Sequence, residues 1–416
     1  MLNRIALTLV FSLSFFSYMT PELSTTVQLA PLVLFAALVF FKVIWSESVL
    51  DAVSSLFEVD GLLFVLFVSV LTIAPSVASG SGQSLGTAVL IAICLALARI
   101  YMTVVPVQEV LEAFFWSGIV SIGLFTLIAF GSLMQSIQTH ERFSAFSFHP
   151  NLLAFLLAGY FCVMVWKFIT SSWRMRILAG MFGFLSLVIT FFASSRGSIV
   201  GILIGCGLVA GMAAARARRE RRIKLLRPGL LAVMLLFVVV IVVQSLQWTK
   251  DFYEYTDQVL QLSQDDRGLD TGFTGRWDRW KVIMGVFTDG TFIVGRGIRT
   301  TDQAPIDNSY LVILYEIGLV PLALITLRFF SILGRYFRSY FRSANQTERN
   351  FHLTCCLLLT VLLVNNIVDR YLFSVGNPYS LMALLLFAAP TRLLPSLSDV
   401  PRGALGKRID ALGAQT

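Results

Sequence analysis

Three short stretches carry most of the residues that could do chemistry: "RFSAFSFHPN" (142–151), "SSRG" (194–197) and "DNSYL" (307–311). Each stands just ahead of an apolar run of helix length. Each would therefore lie at a helix N-terminus, where N–H groups without intrahelical partners and a partial positive charge collect. Arg142 and Arg196 sit near two of these helix starts, and Arg276 comes from the long polar stretch that leads to the third. A guanidinium fork grips phosphate oxygens in pairs, and a helix N-terminus adds to the same field. The chemistry suggested is the binding of a phosphate or diphosphate carried on a lipid. Plainer uses stay open. An arginine near a membrane surface also binds lipid headgroups or pairs with a carboxylate. Asp307 alone is well suited to cap its helix by accepting from the N–H of Ser309 or Tyr310, and Pro150 to stand in a first helical turn.

The elements that must position these residues follow from composition. Of 416 residues, 56% are hydrophobic and 13% charged, and the apolar ones gather into runs of about 17 to 25, the length of a membrane-crossing helix. Inside lipid each backbone polar group must be satisfied within its own segment, which selects helices. The fold class expected is all-α: one polytopic membrane domain over 1–416 with about 12 transmembrane helices. The spans fall at 4–20, 27–45, 56–78, 84–105, 111–134, 150–169, 174–192, 196–214, 229–247, 307–333, 351–372 and 377–393. The first run follows only Arg4 and lacks a small-residue cleavage site, so it is expected to stay as a span.

Charge orients the bundle. "RARRERRIKLLR" (216–227), Arg335, Arg338, Arg342 and Arg349, and Arg402, Lys407 and Arg408 all fall in connections or tail on one side of this pattern. The positive-inside bias puts that side, with both termini, in the cytoplasm. The three opening stretches then face outward, where arginines call for a reason. The formal charge of +8 does not point to nucleic acid, because the basic residues lack a folded platform with interleaved aromatics. The five cysteines all lie inside spans and act as small apolar residues. His140, His149 and His352 lack the spacing of a metal site, so no metal is expected.

One long polar stretch, 248–306, separates spans nine and ten and falls on the outer side. Loops of this length usually carry function or lack structure. Its first half is acidic and its second half basic, with Arg276, Arg279, Lys281, Arg296 and Arg299. Within it, residues 274–290 place apolar side chains at 277, 280, 283, 284 and 287, one face of a short amphipathic helix. That helix would rest at the membrane interface on Trp277 and Trp280 or pack on the bundle.

Three further features concern the spans themselves. Gly197, Gly201 and Gly205 form a stripe that lets another helix approach closely. Glu316 would lie about 13 Å below the start of span ten at 1.5 Å per residue, a depth at which a carboxylate is costly unless it is paired, protonated or in a wet cavity. Asn365 and Asp369 share a face of span eleven, with Arg370 beside them, so Asp369 is a partner for an arginine or a second acid in the site.

The pieces "RFSAFSFHPNLLAF", "SSRGSIVG", "GRWDRW", "IVGRGI" and "DNSYLVILYEIGLVPL" occur in this order over 142–322. In them the chain resembles the bacterial superfamily of O-antigen ligases and repeat-unit polysaccharide polymerases. The resemblance implies a glycosyltransferase of the bacterial inner membrane that needs no cofactor. It would take a glycan from an undecaprenyl-diphosphate-linked oligosaccharide and pass it to a hydroxyl of an acceptor glycan at the periplasmic face. Membrane lipid, a chain-length regulator and a flippase are the further partners considered. On the matching positions Arg142, Arg196 and Arg276 would neutralise the diphosphate leaving group, with Asp307 the candidate general base. The resemblance makes Arg196, Arg276 and Asp307 the expected catalytic residues, and Arg142, His149, Asn151, Arg296, Asn308, Asp369 and Arg370 the expected substrate contacts. Ligases of the superfamily carry a histidine in front of the Asn of this motif, whereas this chain has Asp307, which leans toward a polymerase. A non-enzymatic transporter of lipid-linked glycans would have a similar number of spans. Transporters, however, show related halves and helices broken near the bilayer midplane, and here the informative residues gather at one face.

Overall fold

The computed structural model describes residues 2–19, 25–45, 54, 70–139, 143, 150–219, 276, 280–281, 284–285, 292–299, 307–370, 372 and 377–389. The fold is all-α, a polytopic membrane architecture. Its helices in chain order are α1 (Leu2–Met19), α2 (Thr25–Trp45), α3 (Gly82–Val104), α4 (Val107–Thr139), α5 (Pro150–Thr170) and α6 (Trp173–Phe192). They continue with α7 (Arg196–Arg219), α8 (Ser309–Ile317), α9 (Leu319–Arg342), α10 (Gln346–Val368) and α11 (Pro378–Ala388). Seven of them, α3 to α7, α9 and α10, are long and apolar enough to cross a membrane, and Leu2–Tyr18, Leu29–Val43 and Pro378–Ala388 are shorter apolar helices. The expected span at 229–247, most of that at 56–78 and most of the 248–306 loop lie outside the described residues.

The core is built on α5 and α10, which pack on each other and are wrapped by α4, α6, α7, α9 and α11, while α1 and α2 extend the bundle beside α4 and α3. Small residues set the closest approaches. A Cβ on Gly201 would stand 2.6 Å from the Asn365 amide oxygen, and one on Gly205 would stand 2.7 Å from Val361 Cγ2, while Gly197 faces Val368 just as tightly. The glycine stripe of α7 thus receives the side chains of α10 spaced to match it. Buried hydroxyls add polar contacts between helices: Ser12 Oγ donates to Ser117 Oγ at 3.2 Å, and Ser117 and the Tyr160 hydroxyl are 3.0 Å apart.

Two helices depart from the expected spans. The span expected at 307–333 is broken at Gly318, which ends α8 and opens α9 with φ 95°. A break strands the last carbonyls of α8, and a strap of residues 292–298 supplies the missing donors. Arg296 N donates to Tyr315 O at 3.0 Å, Gly297 N to Glu316 O at 2.8 Å, and Leu319 N returns a bond to Phe292 O at 2.8 Å. The approach leaves no room for side chains: Gly295 has φ 84°, and a Cβ on it would lie 2.5 Å from Glu316 O. On its other side the strap meets the helical stretch 70–78 that precedes α3, where Ile298 N donates to Ser76 Oγ at 3.3 Å. α9 alone has 24 residues, about 36 Å and enough to cross a bilayer. Glu316 therefore stands three residues ahead of the spanning helix, buried and bound through its backbone to the strap, rather than one-third of the way down a continuous span.

The last expected span, 377–393, is a helix of 11 residues that starts deep in the bundle. The Tyr379 hydroxyl donates to Leu358 O at 2.7 Å, ten residues and so about 15 Å below the Val368 end of α10. At the other end of α11, Arg99 donates to Ala388 O at 3.1 Å and Arg328 to Phe387 O and Ala389 O at 3.4 and 3.3 Å. These two cations meet the negative end of the helix dipole inside the bundle. A broken and a half-length helix are thus present, the feature counted above toward a transporter of lipid-linked glycans.

Candidate functional site

One end of the bundle gathers the start of α7, the start of α8 and the end of α10. The reason begins with Asn308. Its extended backbone and side-chain oxygen, which accepts from Tyr310 N at 2.9 Å and Leu311 N at 3.0 Å, make it the N-cap of α8. The capping role considered for Asp307 therefore falls to its neighbour, and the Asp307 carboxylate is directed elsewhere. The next residue, Ser309, is buried and joins α8 to α10. Its N–H donates to Asp369 O at 3.0 Å, and its hydroxyl lies 2.6 Å from Asn366 Oδ1 and 3.0 Å from Asp369 O. Leu372 N donates back to the same hydroxyl at 3.2 Å.

This junction sets two carboxylates around one guanidinium. Arg276 Nε lies 3.5 Å from Asp307 Oδ2, and Arg276 Nη2 lies 3.8 Å from Asp369 Oδ1. Asp369 is 4% exposed, whereas the Asp307 side chain is 34% exposed. The pair is therefore unequal: Asp369 faces the protein, and Asp307 also reaches solvent. Both separations exceed the 2.7–2.9 Å of a tight charge-assisted hydrogen bond. That leaves the guanidinium positioned between the carboxylates rather than locked onto one. Ligands with phosphate oxygens can compete for such a group.

α7 adds its first turn to the same place. Gly197 faces Val368, and a Cβ there would stand 3.9 Å from Asp369 Oδ2. Arg196, the residue before it, is half-buried and opens the helix. The turn into α7 passes through Ser194, whose φ of 55° is in the left-handed region. Phe143 N donates to Phe192 O at 2.8 Å, which ties the chain next to position 142 to this turn. Arg142 itself and His149 lie outside the described residues. Asn151 opens α5 and is buried at 8%.

The remaining expected residues are distributed as follows. Arg296 belongs to the strap and stacks on α8, its guanidinium 5.1 Å from the Tyr315 ring centroid and its Nη1 3.4 Å from the Tyr315 hydroxyl. Arg370 is exposed immediately after α10. Of the helix expected over 274–290, Trp280 is buried and Met284 is 44% exposed, while Trp277 lies outside the described residues. Sequence reasoning assigned nothing to Ser309, Asn366 or Gly295. The available signals were a third polar residue after Asp307 and Asn308, and two adjacent asparagines in an otherwise apolar helix, where polar side chains usually bond across helices. Among the described residues no group of three or more His, Cys, Asp or Glu is placed to hold a metal ion.

Comparison with known proteins bears on this end of the molecule. Residues 181–326 match the family model described as O-antigen ligase. The matched segment begins in α6 and runs through the α7 turn, Arg276, the strap and α8 into α9. No curated protein matches the chain.

Proposed function

We propose, from the match of residues 181–326 to the family model described as O-antigen ligase, a membrane glycosyltransferase that polymerises lipid-linked oligosaccharide repeat units. The observation that carries this reading is Arg276 held between Asp307 and Asp369 beside the first turn of α7. The donor is a glycan on undecaprenyl diphosphate. Its diphosphate is received by Arg276 and Arg196, with Arg142 as a further candidate, at the α7 N-terminus. The acceptor hydroxyl attacks the anomeric carbon from the face opposite the diphosphate. The new C–O bond forms as the bond to the diphosphate oxygen breaks, Asp307 takes the hydroxyl proton, and the guanidinium groups neutralise the departing charge. Asp369 keeps Arg276 in place.

Sidedness supports the same reading. α7 starts at this site and ends in Arg216, Arg218 and Arg219. There Arg216 donates to the Tyr340 carbonyl and, at 2.9 Å, to Ser343 O. The positive-inside bias assigns that basic end to the cytoplasm and the site to the periplasmic face of the inner membrane.

Arg196→Ala and Arg276→Ala are expected to abolish polymer while the protein stays inserted and single carrier-linked repeat units accumulate. Long-chain product persisting in both variants would sink the proposal. The description of the matched family favours a second reading, transfer of finished polymer to lipid A-core. Purified protein given lipid-linked donor with either repeat units or lipid A-core as acceptor separates the two by which product forms.

A further inference from the structure

The Asp307–Arg276–Asp369 arrangement depends on where α8 begins relative to where α10 ends, and the hydrogen bonds of one residue decide that. Ser309 is 3% exposed, and it makes these bonds through both its N–H and its hydroxyl. Its N–H is one of the first four of α8 and has no acceptor within that helix; it reaches instead to the carbonyl of Asp369, the residue that ends α10. Asn366 is held in one orientation, because its Nδ2 donates to Leu362 O at 2.8 Å. That turns its Oδ1 toward the Ser309 hydroxyl, 2.6 Å away. The hydroxyl then accepts from Leu372 N, so the chain on both sides of Asp369 is bound to the same oxygen. Asn308 caps the helix without contributing to this connection.

We propose that Ser309 is a positioning residue for glycosyl transfer, a latch that joins the α8 N-terminus to the α10 C-terminus and so holds Asp307 and Asp369 on either side of Arg276. This rests on the transferase reading above. The hydroxyl touches neither substrate nor the reacting atoms. It fixes the separation between the proton acceptor and the group that receives the diphosphate, and misplacement of reacting groups by about 1 Å costs on the order of 100-fold in rate.

The test uses the full-length protein reconstituted in lipid vesicles with lipid-diphosphate-linked repeat units. Ser309→Ala, Ser309→Thr and Arg276→Ala are compared for kcat, KM for the donor and melting temperature. Ser309→Ala is expected to lower kcat by about 30-fold with KM changed by less than about threefold, the pattern of an interaction that matters in the transition state. Ser309→Thr, which keeps the hydroxyl, should recover the rate to within about fivefold. Should the alanine variant fail to insert, Ser309→Cys, similar in volume and a weak donor, takes its place with the same expectation. A full rate in the hydroxyl-less variant overturns the latch, and so does a loss that appears only as raised KM or a lowered melting temperature. Full activity in Arg276→Ala removes the transferase reading itself. An inactive Arg276→Ala beside a fully active Ser309→Ala removes the latch alone.

Discussion

Asp307 and Asn308 are adjacent and chemically close, yet the fold separates their tasks. Asn308 satisfies the α8 N-terminus with its side-chain oxygen, and Asp307, one residue earlier, keeps its carboxylate for Arg276. Asn308→Ala should therefore act through stability, costing about 1 kcal/mol, and a thermal melt of the purified protein checks this. Asp307→Asn should leave the melt unchanged, because Asn308 holds the N-cap of α8. Polymer synthesis should fall by about 100-fold or more, the scale of general-base loss. Equal activity in wild type and Asp307→Asn would return Asp307 to a structural role. Arg276→Lys is also informative. An ammonium cannot present a planar fork to two carboxylates or to a diphosphate, so a loss of about tenfold or more is expected despite the conserved charge, measured as turnover of lipid-linked donor. Some of this was legible from residue type alone. A guanidinium beside two aspartates and a helix start is a recognisable set of parts. What could not be read was that Arg276 meets Asp369, because the two are far apart in the chain and no periodicity encodes the path of a polar loop.

At the scale of elements, the helices were legible and the break was not. Hydropathy runs unbroken through "LVILYEIGLVPLALI", so a lipid-length run could not reveal that Gly318 divides it. The division shows only in the partnership between Gly318 and a strap about 20 residues upstream, where Gly295 and Gly318 adopt positive φ, Gly295 against the backbone of Glu316 and Ile317 and Gly318 against that of Ile293 and Val294. The motif "IVGRGI", which resemblance marked as shared, is thus explained by backbone hydrogen bonds to the end of α8, while its arginine rests on Tyr315. Gly295→Ala and Gly318→Ala should each displace α8, because a Cβ would collide with backbone atoms that cannot swing aside. The expected result is loss of polymer together with faster protease cleavage between 290 and 320 in membranes, read by mass spectrometry of the fragments. Gly211→Ala, at a glycine with nothing nearby, is the matched control and should behave as wild type. The half-length of α11 escaped sequence reading for a related reason: an apolar run announces burial but not the depth at which a helix starts.

The whole molecule has two chemically different ends. Arg4 pairs with Glu112 at 2.8 Å, Lys167 pairs with the same carboxylate, and Arg216 closes on α9 at the end away from Asp307. The site end holds the helix starts and the Arg276 cluster. This polarity predicts labelling. In intact cells stripped of the outer barrier, Arg370→Cys should react with a membrane-impermeant thiol reagent and Arg219→Cys should not, both positions being exposed. The five native cysteines are buried or partly so and should contribute little background. The opposite labelling pattern would place the site in the cytoplasm and remove the periplasmic reaction.

The contact between Arg99 and the Ala388 carbonyl joins groups 289 residues apart. The guanidinium leaves the ribosome long before its acceptor exists, so a nascent chain must tolerate that cation in or near the translocon until the final apolar segment is delivered. Premature stop codons after α10 would therefore leave a polypeptide with most of its spans inserted but without the carbonyl that Arg99 meets. Membrane proteases would be expected to clear that species quickly. Trimming the last forty residues removes α11 together with this acceptor, and is for this reason a risky manipulation.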